Sequence, residues 1–125
     1  MLGDKNIMAF VGSTDQDRAS KFYVDTLGLR LTSRDNFALV IDANGIMLRV
    51  TRVEKVIPAS YTVLGWNVSD IRTTMAGLTK RGIIFDRIPY IQQDTEGIWT
   101  APDGTMVAWF KDPDANILSL TQFRA

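Results

Sequence analysis

The chain has 125 residues, 46% of them hydrophobic and 22% charged, which is the composition of an ordinary soluble globular protein of one domain or of two small halves sharing a core. Fourteen basic and fourteen acidic side chains cancel, so no charge excess points to nucleic acid or to an anionic membrane surface. No apolar run nears the roughly 18 residues of a membrane-spanning helix, Asp4 and Lys5 speak against a signal peptide, and the absence of cysteine excludes a disulfide framework, a thiol nucleophile and a thiolate zinc site. A cytoplasmic location is the expectation.

In chain order, Ile7–Val11 reads as an apolar strand that ends at Gly12-Ser13. Thr14, with Asp17 three residues on, gives an N-cap of capping-box type. Ala19, Phe22, Tyr23, Thr26 and Leu27 then recur at the spacing of one helix face, and Gly28 supplies the residue that closes it. Strands are expected at Arg30–Ser33, Phe37–Ile41 and Ile46–Arg52, with Asp42-Ala43-Asn44-Gly45 as the turn between the last two. Glu54–Ala59, which contains Pro58, reads as a link.

The order then repeats. Thr62–Val68 is a strand, Ser69 an N-cap, Ile71, Met75 and Leu78 a helix face, and Gly82 its end. Strands follow at Ile83–Asp86, Gly97–Ala101, Thr105–Phe110 and Ile117–Gln122, with Pro102-Asp103-Gly104 and Asp112–Asn116 as turns. The agreement of order, caps and turn chemistry predicts a structural duplication. The fold class is therefore α+β: two tandem β-α-β-β-β modules, about 6–53 and about 60–123, forming one domain.

Two segments carry a resemblance to a known family. Asp112-Pro113-Asp114-Ala115-Asn116, set between two apolar strands, and the helix ending Phe22-Tyr23-x-x-x-Leu27-Gly28-Leu29 resemble the vicinal oxygen chelate superfamily. That superfamily holds glyoxalases, extradiol dioxygenases, fosfomycin-modifying transferases and bleomycin-binding proteins. Its fold is built from paired β-α-β-β-β modules, curving a mostly antiparallel sheet around a cleft with helices outside, so the resemblance covers nearly the whole chain. One departure is Ala115, in the position usually held by glycine, where a positive φ is strained for any side chain. Asn116 tolerates that region better.

In metal-using relatives, His and Glu from the strands hold the ion. Aligned on the helix endings, those positions fall at Met8, about Met47, near Val63 and at Ser119. Methionine, valine and serine are poor ligands for a divalent first-row metal, and the chain has no histidine at all. The resemblance thus implies the scaffold without its usual metal chemistry: no metal and no cofactor are expected. Ser-His-Asp and Cys-His mechanisms are excluded, as are glycine-rich phosphate loops.

Strand alternation sketches what would line the cleft. Met8 and Phe10 share a face on the first strand, as do Met47, Arg49 and Thr51 further on, with Ile46, Leu48 and Val50 turned towards the helices. Val63, Gly65 and Asn67 share one in the second half, as do Val107, Trp109 and Lys111, and Ile117, Ser119 and Thr121. Trp109 stands three residues before Asp112, a position that lines the substrate cavity in fosfomycin-modifying relatives; a place in the core or in a dimer interface is the competing reading. Trp99 is the candidate for an opposite wall and Arg49 for an anion partner, bound through its planar fork; an ion pair within the protein or a solvated rim position is the competing reading of Arg49. Trp66 is read as core.

These residues imply a metal-independent small-molecule binding protein of the glyoxalase and bleomycin-resistance type, sequestering a planar aromatic or anionic compound. The competing reading is a lyase, transferase or dioxygenase-like enzyme of the same superfamily working with residues other than histidine. A homodimer is expected, because the family usually assembles four modules and this chain supplies two. Open sheet edges and apolar faces are costly in isolation.

Overall fold

A computed structural model describes residues 1–125. Met1–Ile57 and Pro58–Ala125 form two compact units, each with its own four-stranded sheet.

In the first unit, β1 (Met8–Ser13), β2 (Arg30–Arg34), β3 (Ala38–Ala43) and β4 (Ile46–Arg52) assemble in the order β1-β4-β3-β2. β1 runs parallel to β4, and the remaining pairs are antiparallel. The turn from β3 to β4 has Asn44 and Gly45 at φ 52° and 93°, the hand that matches sheet twist, and the Asp42 carboxylate accepts from Gly45 N–H at 2.7 Å. Leu39, Ile41, Leu48 and Val50 are fully buried on one face, together with Ala19 and Tyr23 of the helical segment. Burying each Leu, Ile or Val side chain contributes about 1.5–3 kcal/mol, which fixes the register of β3 on β4.

That helical segment departs from the expected α-helix. α1 covers only Gln16–Ser20 and continues as a π-helix, Lys21–Thr26, in which Leu27 N–H reaches back to Phe22 O at 2.9 Å. Its N-cap is Asp15 rather than Thr14: the carboxylate accepts from Arg18 N–H at 3.1 Å. Ser69 is displaced in the same way by Asp70, which accepts from Thr73 N–H at 3.1 Å. Asp caps at least as well as Ser or Thr, and its charge also meets the positive end of the helix. Gly28 and Gly82, at φ 79° and 94°, do end the two helical segments as expected.

In the second unit, β5 (Leu64–Asn67), α2 (Ile71–Lys80), β6 (Trp99–Thr100), β7 (Met106–Lys111) and β8 (Ile117–Gln122) give the sheet order β5-β8-β7-β6. β5 is parallel to β8, while β7 is antiparallel to both of its neighbours. Ile71 and Met75 of α2 are buried, and α2 lies against β7 and β8. Ala108, Phe110, Leu118 and Leu120 form the buried face, where Trp66 stacks on Phe110 at 6.2 Å.

The expected strand Ile83–Asp86 does not form. Only Asp86 reaches the sheet, through its N–H to Trp109 O at 2.8 Å, before the chain leaves as a loop. Gln93 holds that loop in place of ladder bonds. Its amide donates to Asp86 O and Gly97 O, and its oxygen accepts from Ile88 N–H. β6 is accordingly shortened to two residues from the expected Gly97–Ala101.

Candidate functional site

On the first sheet, register fixes which side chains share the face away from the buried core. Met8 lies opposite Met47, which lies opposite Asp42; Phe10 lies opposite Arg49, which lies opposite Val40. The apolar members are open to solvent: Phe10 is 59% exposed, Met8 45% and Met47 41%. Ile46, expected to turn towards the helix, is also exposed, since it sits at the hairpin mouth opposite Ala43. Arg49 is half-buried between them and makes no salt bridge, which removes the ion-pair reading but not that of a solvated rim position. Its charge is felt at Asp35, whose carboxyl is held below the usual value chiefly by the N–H groups of Phe37 and Ala38 and in smaller part by Arg49. A cavity of about 250 Å³ involving Met47 lies on this sheet, bordered by Arg30, Thr32, Val40 and Asp42.

On the second sheet, two rows of residues cross the face away from α2. One row is Gly65, Ser119 and Trp109; the next is Asn67, Thr121, Val107 and Trp99. Trp99 and Trp109 approach to 6.3 Å between ring centroids. Lys111 is neutralised by Asp86, whose carboxylate oxygen accepts from Nζ at 2.9 Å. Val63 precedes β5 and prolongs the ladder by donating to Ile117 O. The expected candidates thus gather into two groups: Met8, Phe10, Met47 and Arg49 on the first sheet, and Val63, Asn67, Trp99, Val107, Trp109 and Ser119 on the second.

Residues absent from the sequence reading border a cavity of about 300 Å³ against Trp99: Gln92, Gln93 and Asp94, with Ile98 and Thr100. Asp94 organises the turn beneath it. Its Oδ1 accepts from the N–H groups of Glu96, Gly97 and Ile98, and its Oδ2 from Arg72 at 3.0 Å. The Gln-Gln-Asp run was the only sequence signal, and nothing in its spacing marks it as a pocket wall.

The metal used by metal-dependent members of the resembled family does not fit these residues. No group of three or more His, Cys, Asp or Glu stands together. Met8 faces Met47 across the β1–β4 pair with Asp42 as the one carboxylate beside them, itself near Arg30, and Ser119 sits between Gly65 and Trp109, so neither neighbourhood offers the set of donors that a closed coordination shell needs. Among the carboxyls with a resolved shift, Asp35, Asp70, Asp94 and Asp103 all lie below the usual value, which is the wrong direction for a general base near neutral pH.

The two sheets, the module order and this turn chemistry define a glyoxalase-type fold. The profile of the Glyoxalase/Bleomycin resistance protein/Dioxygenase superfamily matches residues 7–120, and the chain belongs to that superfamily. Among solved structures, the bleomycin resistance determinant encoded on transposon Tn5 is 21% identical, with a TM-score of 0.74 over 97% of this chain and 99% of that one. A bleomycin-binding protein complexed with bleomycin is also 21% identical, with a TM-score of 0.74 over 96% and 99%. The oxidase ChaP-H2 is 22% identical, with a TM-score of 0.73 over 98% and 96%. No protein of curated function matches the chain.

Proposed function

We propose that this chain is a metal-independent small-molecule binding protein that sequesters planar aromatic compounds, as a homodimer in the cytoplasm. The observation that carries the reading is the second sheet's face away from α2. Two indoles from adjacent strands stand there beside Ser119, where metal-using relatives have Glu. An aromatic pair of this kind gives a flat ligand stacking surface, and the neighbouring Val107, Thr121 and Asn67 provide a mixed apolar and neutral lining. Arg49, which makes no salt bridge and feels Asp35 only at longer range, gives anionic compounds a second point of capture on the first sheet. The bleomycin-binding relatives make ligand sequestration a natural use of this fold.

Tryptophan fluorescence and calorimetry with bleomycin and with a panel of planar aromatic compounds, neutral and anionic, test the reading. Saturable binding at one equivalent per chain, without turnover and insensitive to chelators, is expected. Conversion of a bound compound, or binding abolished by a chelator, would replace this reading with the enzymatic one.

A further inference from the structure

Ser119 lies in β8 between Gly65 of β5 and Trp109 of β7, all three on one face of the sheet. The residue is 6% exposed, and its hydroxyl makes no hydrogen bond within the chain while its oxygen keeps contact with solvent beside the exposed Gly65. A hydroxyl that only water reaches is free to exchange that water for a ligand atom. Gly65 explains how the group is accommodated. A Cβ at that position would stand 2.8 Å from Ser119 Oγ and 3.3 Å from Ser119 O, so only a bare backbone leaves the hydroxyl where it is. Gly65 has no positive φ to justify a glycine on conformational grounds, and a glycine within a strand often marks a close approach. The one cation on this face, Lys111, is already held by Asp86, so the surroundings favour a neutral partner for the hydroxyl.

We propose that the Ser119 hydroxyl, kept clear by Gly65 and flanked by Trp109, is the hydrogen-bond anchor of the site and selects planar aromatic ligands carrying a neutral carbonyl oxygen at one edge. This rests on the aromatic-binding reading above and specifies its ligand. Trp109 supplies the stacking surface for the ring system. Ser119 donates its proton to the carbonyl oxygen, and Gly65 is a positioning residue that holds the donor's direction. A flat hydrocarbon of the same outline leaves the hydroxyl unpaired and binds less well.

9-Fluorenone and fluorene form a suitable probe pair, with nearly the same outline and a C=O replaced by CH2. Equilibrium dialysis of both against the full chain should show fluorenone favoured by about five- to tenfold, the scale of one net hydrogen bond. Ser119→Ala should bring fluorenone down to the fluorene level, leave fluorene unchanged and not lower the melting temperature, since no intramolecular bond is lost. Gly65→Ala, which displaces the hydroxyl, should likewise erase the preference. If both probes bind wild type equally, or if Ser119→Ala preserves the preference, the anchor is refuted while the aromatic site stands. If neither probe binds, the aromatic site itself falls, and the anchor with it. A lowered melting point for Ser119→Ala with an unchanged probe ratio would assign the hydroxyl to folding and overturn the proposal.

Discussion

Trp99 and Trp109 stand on neighbouring strands with ring centroids 6.3 Å apart and planes tilted by 39°. Trp99 is paired in register with Val107, so the two indoles are diagonal neighbours on one face rather than directly opposed. Both are half-buried, whereas Phe110, next in the chain and turned to α2, is 1% exposed. That contrast separates binding from folding. Trp109→Ala is expected to weaken capture of an aromatic ligand by about 2 kcal/mol or more, as aromatic anchors do, with only a modest fall in stability. Phe110→Ala should instead cost about 3–5 kcal/mol of stability. Paired melting curves and ligand titrations check both, and a large stability loss at Trp109 with undiminished affinity would return that residue to the core.

Phe10, Met8 and Met47 leave an apolar face on the first sheet that a soluble chain gains by covering, and β1, β2, β5 and β6 are edge strands. The expected assembly is a two-fold homodimer, sedimenting at twice the chain mass of 14.0 kDa at micromolar concentration. Phe10→Asp should shift it towards monomer without unfolding the sheet, because the side chain is more than half exposed already. A wild-type chain found only as monomer would refute the dimer.

Elemental analysis of purified protein should find no stoichiometric Zn, Ni, Mn or Fe, given the donor set around Met8, Met47, Val63 and Ser119. About one tightly held transition metal per chain would overturn this expectation.

The repeated strand-helix-strand order was legible in the sequence because apolar periodicity, helix-ending glycines and Asp-rich turns are local signals. The bounds of β4 and β8 follow from them directly. Three features were not legible, each because a detail of local hydrogen bonding decides it. Asp15 and Asp70 outcompete the neighbouring Thr14 and Ser69 as caps only once the backbone bends to meet them. The π-helical turn at Lys21–Thr26 keeps the same apolar residues, and its wider bond pattern leaves no mark in a face count. Ile83–Asp86 has strand composition, but Gln93, a side chain of the following loop, takes the backbone groups of Asp86 and Ile88. For the site, alternation alone suffices to place Trp109, Ser119 and Gly65 on one face. The lack of a salt bridge at Arg49 and the Lys111–Asp86 pair need coordinates, since sequence spacing says nothing of which carboxylate a long side chain reaches.

Ala115 sits at φ 67° in the Asp112–Asn116 turn, a conformation that favours glycine. The strain is held by Asp112, whose carboxylate accepts from the N–H groups of Asp114 and Asn116 and from the Asn116 side-chain amide at 2.8 Å. Ala115→Gly should therefore stabilise the chain by about 0.5–1 kcal/mol, the relief of a left-handed side chain less the added freedom of the unfolded state. Asp112→Ala should cost about 2–4 kcal/mol, because two backbone donors and a buried amide lose their acceptor together. Denaturant titration measures both, and a destabilising Ala115→Gly would show that the turn is unstrained.

Asp94 makes the pH dependence of the second unit testable. Desolvation opposes its charge, but hydrogen bonds from Ile98 N–H, Arg72 and Glu96 N–H outweigh it and hold the carboxyl below the usual value. The unfolded chain, with a carboxyl near 3.9, therefore takes up the proton first as the solution is acidified. The stability that Asp94 contributes is complete above that value and is lost as pH falls through the lower folded one. Its side chain is 37% exposed, so solvent screens the Arg72 pair, and Asp94→Asn should cost only about 0.5–1 kcal/mol at pH 7. Asp94→Ala also strips the acceptor from three backbone N–H groups and should cost about 1–3 kcal/mol. The distinguishing measurement is the melting temperature of wild type and Asp94→Asn from pH 7 down to pH 3. The gap between them should be constant down to about pH 4.5 and shrink below it, as the wild-type carboxylate is titrated away. A gap that widens on acidification would mean that the Asp94 carboxyl is raised rather than lowered, and that desolvation dominates at this turn.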